Sequence, residues 1–258
     1  MNLLYISLFF ITGAVFGSFL NVVIFRIPKK ESLSFPPSHC MSCSHPLKIL
    51  DLIPILSYVF LKGRCRYCHR PISIQYPLME LLTAVLFTTS YLLFGLKMET
   101  FILCFISLFL IPIAAIDFKH YIIPNKILLV FFPISIIVGL LHIKYPLFFY
   151  YSIGPLDPIF GALIGSSILF LVALLGYVMY RKNEVMGMGD VKLLIVLGML
   201  LGFQNTLLLL GLSVVLGAIG AILLLVTGKK SKKDMIAFAP YIVVSFYIVI
   251  WISSKAYM

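Results

Sequence analysis

Acidic side chains are scarce in this sequence: nine Asp and Glu among 258 residues, against twenty Lys and Arg. Charged residues of both signs together reach only 11%, where a soluble domain carries roughly a quarter. With 62% hydrophobic residues and a mean hydropathy of +1.11, the shortage of charge excludes an ordinary soluble fold and predicts an integral membrane protein. No GxGxxG string occurs, which excludes a Rossmann-type cofactor domain. The first apolar run lacks a preceding basic stretch and carries Gly13, Gly17, Ser18 and Asn21, so it is expected to be a packed span and not a cleaved signal. There are only five cysteines, which cannot all pair. The net charge of +11 would suggest nucleic acid in a soluble protein, but membrane orientation accounts for it here. The partner it predicts is therefore lipid, and no nucleic-acid partner is expected.

Spans of roughly 20 apolar residues can be read at 3–25, 72–94, 100–116, 122–142, 158–180, 191–202, 205–226 and 236–252, the sixth being short. The expected fold is an all-α polytopic membrane protein of about eight transmembrane helices. Seventeen of the twenty cations fall on alternate loops: 26–70, 118–126, 181–192 and 228–235. Only Lys97, Lys144 and Lys255 lie on the other side. The positive-inside rule then predicts an external N-terminus and a cytoplasmic first loop. The organisation reads as a first transmembrane helix (1–27), a cytoplasmic loop (28–70) and a larger membrane domain (71–258). The external 141–157 loop is aromatic and suggests no function.

The first loop carries Cys40-x-x-Cys43 and, after 21 residues, Cys65-x-x-Cys68. Each CxxC offers two thiolates on one tight turn, and two such turns complete a tetrahedral soft-ligand site suited to structural Zn²⁺. Lys62, Arg64, Arg66 and Arg70 would offset the charge of a Zn(Cys)4 centre. A redox dithiol pair and unligated cysteines are the competing readings. With four thiolates present, His39, His45 and His69 are expected to be bystanders, and Cys104 a packing residue.

Three acids sit at span edges: Glu80, Asp117 and Asp190. The topology puts Asp117, closing the third span, and Asp190, opening the sixth, at one membrane face. There two carboxylates could share a proton and activate water. Asp190 belongs to Gly187-Met188-Gly189-Asp190, where missing side chains admit a neighbouring backbone. The structural alternative makes Asp190 a helix N-cap and Asp117 an interfacial anchor beside Lys119.

Five strings run in a familiar order. They are Gly17-Ser18-Phe19-Leu20-Asn21 through Arg26-Ile27-Pro28, the paired CxxC units, Gln75-Tyr76-Pro77-Leu78-Met79-Glu80, Asp117 followed by Ile123-Pro124, and the GMGD of 187–190. The chain resembles the bacterial type IV prepilin peptidases over nearly its whole length. Its GxGD motif is similar to that of archaeal preflagellin peptidases and presenilin-type proteases. The resemblance implies an aspartic endopeptidase that removes the basic leader of prepilin or pseudopilin substrates at the cytoplasmic membrane face. It further implies methylation of the new N-terminus from S-adenosylmethionine, in pilus, type II secretion or competence systems. Asp117 and Asp190 would be the catalytic pair. Two departures from the family pattern stand out: Asn125 where IPD is common, and Ala239 where FGP is common.

The resemblance implies a methyl-donor site near the first motif and the cysteine loop. Gly17, Asn21, Arg26 and Glu80 are its candidates, with Arg26 for a carboxylate and Glu80 for an amine. Helix packing is the alternative for all four, since Gly13-x-x-x-Gly17 is a small-residue seam. A protease without methyl transfer, and a non-enzymatic assembly factor or transporter, are the competing functions. A transporter would place carboxylates nearer the midplane. The basic leader would be held by anionic head groups, or locally by Glu80 and Glu184.

Overall fold

The computed structural model describes residues 2–144, 154–180, 187–228, 230 and 235–256. Most of the 141–157 loop, Glu184, and Arg181, Lys182, Lys229, Lys232 and Lys233 lie outside the described residues. Among the described residues the fold is all-helical: α1 (Leu3–Arg26), α2 (Leu56–Phe60), α3 (Gln75–Phe94), α4 (Met98–His120), α5 (Asn125–Lys144), α6 (Asp157–Tyr180), α7 (Met188–Val226) and α8 (Ala239–Ala256). Five of these, α1, α3, α4, α6 and α7, are long and apolar enough to cross a membrane. The apolar parts of α5 and α8 are shorter. The chain divides into two compact units, Met1–Pro112 and Ile113–Met258.

In the first unit α1 and α3 run antiparallel along a glycine seam. A Cβ on Gly13 would lie 2.7 Å from Ala84 Cα, and one on Gly17 2.6 Å from Glu80 Cα. Only glycine lets the two backbones approach so closely. Aromatic pairs flank the seam: Phe9 stacks on Tyr91 (5.1 Å), Phe16 tilts against Phe87 (5.9 Å) and Phe25 stacks on Tyr76 (5.2 Å). Cys104 of α4 is buried with Phe9, Phe87 and Tyr91, where a small apolar side chain fits.

In the second unit α7 is the centre. Leu193, Leu194, Leu197, Leu200 and Leu201 are all fully buried. The short sixth apolar run is therefore a core helix wrapped by protein, which need not be as long as one facing lipid. At Gly202 the backbone turns to φ 71°, ψ −178°, a region open in practice to glycine alone. This break falls where the sequence divides its sixth and seventh runs. Phe203 N–H donates to Asp157 Oδ1 at 3.2 Å, so a buried carboxylate at the start of α6 satisfies the broken ladder. Asp157 is a buried acid that sequence reading assigned to a loop; its place directly before an apolar run was the available signal. Gly161 of α6 meets the backbone of Gly198 and Gly202, drawing α6 onto α7 across the break.

Candidate functional site

Helix α4 continues one turn beyond the expected 100–116 span, through His120, so Asp117 lies inside the helix and does not close it. Its side chain is buried, and Oδ2 accepts the Ala239 N–H at 3.0 Å. The Phe238 N–H also donates to this carboxylate. Ala239 is the first residue of α8, so Asp117 satisfies an N–H that no carbonyl of α8 can reach. The family departure at Ala239 leaves this contact intact, because it is made by the backbone.

Asp190 is the third residue of α7. Gly187 holds the N-cap position with φ −70°, ψ 126° and no side-chain cap, so Asp190 is not the N-cap that the structural alternative made it. Asp190 is buried, and its Oδ1 has no hydrogen-bond partner. The Asp117 carboxylate is close enough to act on it electrostatically. The pair is therefore asymmetric: backbone amides hold one carboxylate, while the other keeps a buried acceptor in reserve.

Two contacts tie the start of α7, which carries Asp190, to the segment that follows Asp117. A Cβ on Gly189 would lie 2.8 Å from Ile123 Cβ, so glycine is what admits the Ile123 side chain to the start of α7. Tyr121 at φ 56° starts the turn that delivers Ile123 and Pro124 there. Beside it, Lys192 Nζ donates to Asn125 Oδ1 at 3.0 Å, tying α7 to the first residue of α5. Asn125, the second family departure, serves this contact as a neutral acceptor. Lys192 was missed in the sequence; its place two residues beyond Asp190 was the only signal.

The four thiols of Cys40, Cys43, Cys65 and Cys68 all lie within 4.8 Å of one another, and none is in a disulfide. The two turns that carry them repeat each other. Cys40 N–H bonds to His45 O and Cys65 N–H to Arg70 O, at 3.0 and 2.9 Å. Ser44 and His69, each the fourth residue after the leading cysteine, have φ of 56° and 57°. Single bridges close both turns, His39 to Pro46 and Arg64 to Pro71. No histidine joins the cluster among the described residues: His39 is hydrogen-bonded to Pro37 O and His45 packs on Tyr67 at 3.7 Å. Burial disfavours the Cys40 thiolate, but the amides of Ser42 and Cys43 and neighbouring thiols outweigh it and bring Cys40 down to about 6. The His45 amide favours the Cys43 thiolate, yet desolvation and the Cys40 and Cys68 sulfurs push it up to about 11. Soft, crowded ligand atoms of this kind fit a tetrahedral dication. Asp51 ties the turns to the rest of the loop, accepting from Arg66 Nε at 2.6 Å, Tyr67 Oη at 3.1 Å and the Lys48 amide at 3.2 Å. Burial opposes ionisation of Asp51, and these donors nonetheless hold its carboxyl below the usual carboxylate range.

The four first-motif candidates have partners within their own unit. Gly17 makes room for the α3 backbone. Asn21 is buried, and its Nδ2 donates to Tyr76 O at 3.1 Å and Gly17 O at 3.3 Å, while Oδ1 has no hydrogen-bond partner. Arg26 spends its fork on backbone carbonyls, Ser32 O at 2.9 Å, Leu33 O at 3.4 Å and Pro36 O at 2.6 Å. Glu80 Oε2 accepts the Ile55 N–H at 2.6 Å. Asn21 Oδ1 is thus a buried acceptor without a hydrogen-bond partner, while Gly17 serves the packing of α1 on α3 and Arg26 and Glu80 hold the loop.

Residues 11–94 match the Bacterial Peptidase A24 N-terminal domain, and residues 104–222 match the Type IV leader peptidase family. Similar proteins include the prepilin leader peptidase/N-methyltransferases of three bacteria. That of Bacillus subtilis (strain 168) is 36% identical over 92% of this chain and 90% of its own. That of Aeromonas hydrophila is 32% identical over 95% and 90%. That of Klebsiella pneumoniae is 38% identical over 77% and 86%. No solved structure matches. The paired aspartates and the four-cysteine loop thus stand in a chain matched along both halves, and the chain belongs to the type IV leader peptidase family.

Proposed function

We propose that this protein cleaves the leader from prepilin or pseudopilin substrates and N-methylates the residue that cleavage exposes. The observation that carries the reading is the asymmetric pair of Asp117 and Asp190, in a chain whose relatives carry both activities in their names. One carboxylate takes a proton from water as its oxygen attacks the scissile carbonyl. The other gives a proton to the departing nitrogen as the C–N bond breaks, and the shared proton is restored. The Asp190 Oδ1 acceptor is the atom available for the water, while the amides on Asp117 keep its carboxylate oriented. A prepilin peptide incubated with purified enzyme, with and without S-adenosylmethionine, tests both activities; an intact leader in every condition would reject the peptidase.

The cation distribution supports an external N-terminus and a cytoplasmic active site, and the break at Gly202 supports reading eight spans. Zn²⁺ held by Cys40, Cys43, Cys65 and Cys68 would supply folding energy to the 28–70 loop and no chemistry. S-adenosylmethionine would supply the electrophilic methyl group. The residues of the first motif serve that activity by holding the loop, Arg26 through three carbonyls and Glu80 through Ile55.

Two predictions follow from these contacts. An alanine at Gly189 forces Ile123 away and is expected to cost about 1–3 kcal/mol by overpacking. Because the same contact joins the start of α7, which carries Asp190, to the segment that follows Asp117, Gly189→Ala should lower cleavage well below that of the unsubstituted protein. Thermal unfolding and prepilin cleavage, measured side by side, check this. Arg26→Lys cannot span three carbonyls with one ammonium group. Methylated product should therefore fall while cleaved pilin still accumulates, as read by mass spectrometry of the mature N-terminus. Unchanged methylation would leave Arg26 as a marker of the end of α1.

A further inference from the structure

Residues 49–61 read Ile-Leu-Asp-Leu-Ile-Pro-Ile-Leu-Ser-Tyr-Val-Phe-Leu, far more apolar than a loop in water requires and too short to span a bilayer. The structure leaves most of the large apolar side chains exposed. Ile49 is 85% exposed, Phe60 80%, Leu50 65% and Val59 63%, and Leu56 is also exposed. A contiguous apolar surface of this kind marks an interaction site.

Its depth follows from its tether to α3. Ile55 adopts φ 62°, ψ −51° in a three-residue turn closed by Leu56 N–H to Pro54 O at 2.6 Å, a rare conformation for a β-branched residue. The Ile55 N–H is held by Glu80, which lies in the second turn of α3 beside Gly17 and Ser18 of α1. Ser18 is eight residues inside the Arg26 end of α1, on the order of 12 Å along the axis at 1.5 Å per residue. The segment is thus pinned beside the apolar part of two candidate spans, well short of the aqueous loop.

The rest of the segment suits that depth. The N–H groups of Asp51, Leu52, Ser57, Val59 and Leu61 find carbonyls within the segment or at Lys48, as a low-dielectric setting demands. Its single acid, Asp51, is turned inward onto Arg66, with its side chain 4% exposed. Cations close both ends, Lys48 before and Lys62 and Arg64 after, all exposed. A cleft of about 520 Å³ is lined by the cations Lys62, Arg64 and Arg66 together with the apolar Phe60 and Leu61.

We propose that residues 49–61 form an interfacial wedge that seats in the bilayer, its apolar side chains among acyl chains and its terminal cations on anionic phospholipid head groups. The occupant is lipid because depth, apolar surface and flanking positive charge coincide, the pattern of an in-plane membrane segment. The wedge would anchor the cysteine loop at the membrane surface.

The test uses the full chain in nanodiscs, with Phe60→Trp on a Trp251→Phe background so that one indole reports. Emission should be blue-shifted and largely lost when the lipids carry brominated acyl chains, and lost more with brominated anionic than with brominated zwitterionic lipid. Adding Lys48→Glu, at the exposed cation that lies outside both cysteine turns, should reduce that preference while the variant keeps its metal content. Water-like emission, quenched by iodide and indifferent to brominated lipid, would overturn the proposal. Blue-shifted emission that brominated lipid does not quench would also overturn it, since the surface would then be covered by protein, including a second copy. Equal quenching by both lipid classes in the variant with native charges would overturn the head-group contact. Val59→Trp on the same background provides an independent second reporter.

Discussion

Asp190→Asn should yield a full-length, membrane-inserted, metal-loaded protein whose prepilin cleavage is reduced on the order of 10³-fold, the scale expected when a general acid or base is removed. The substitution is nearly isosteric, and Oδ1 of Asp190 makes no hydrogen bond that the amide would break. Stability should therefore change little, which separates the chemical role from a structural one. Asp117→Asn should lose cleavage to a similar extent, because an amide oxygen can still accept the Ala239 N–H at 3.0 Å but cannot exchange a proton. Asp117→Ala should differ from both. It leaves the buried Ala239 N–H unsatisfied and should cost about 1–3 kcal/mol in addition to activity. Cleavage assays beside thermal unfolding of all three variants check this pattern. Substantial turnover by either Asn variant would remove that residue from the mechanism.

Cys65→Ser should release the metal and disorder the 28–70 loop. Cys65 is the most buried of the four, and its backbone N–H and C=O both hold the second turn closed, through Arg70 and His69. The helices of this loop are one of five residues and a single 3-10 turn, neither with a fully buried side chain, so the loop has little core of its own. Structural zinc contributes on the order of 10–16 kcal/mol in small metal domains, far more than such a loop could supply by packing. Metal analysis should fall from one zinc per chain to none, and limited proteolysis should open cleavage sites between residues 28 and 70. Cys104→Ala should retain the metal, because Cys104 packs in the aromatic cluster of α1, α3 and α4. A metal content near zero in the unsubstituted protein would overturn the assignment.

The sequence alone determined the membrane-embedded helical class, because burying 62% apolar residues with so few charges has few solutions other than lipid-facing helices. It also determined the cysteine grouping, since a CxxC spacing confines two thiols to one turn whatever surrounds it. Helix ends were less legible: α4 carries Asp117 inside its last turn because Phe118, Lys119 and His120 form helix as readily as they form a loop. Tertiary structure decided what pairs with what. The Gly189 to Ile123 contact, between the start of α7 and the segment after Asp117, joins residues far apart in sequence, and nothing local to either reports the other. Arg26 and Glu80 read as ligand-binding charges, yet their donors and acceptors go to backbone groups of the loop, whose path depends on the fold. Asp157 looked like an external loop residue until the glycine break in α7 placed a freed N–H beside it. Composition and short-range spacing act through local chemistry and can be read directly. Hydrogen-bond partners of buried polar groups depend on which backbone segments meet, and packing of the whole unit decides that.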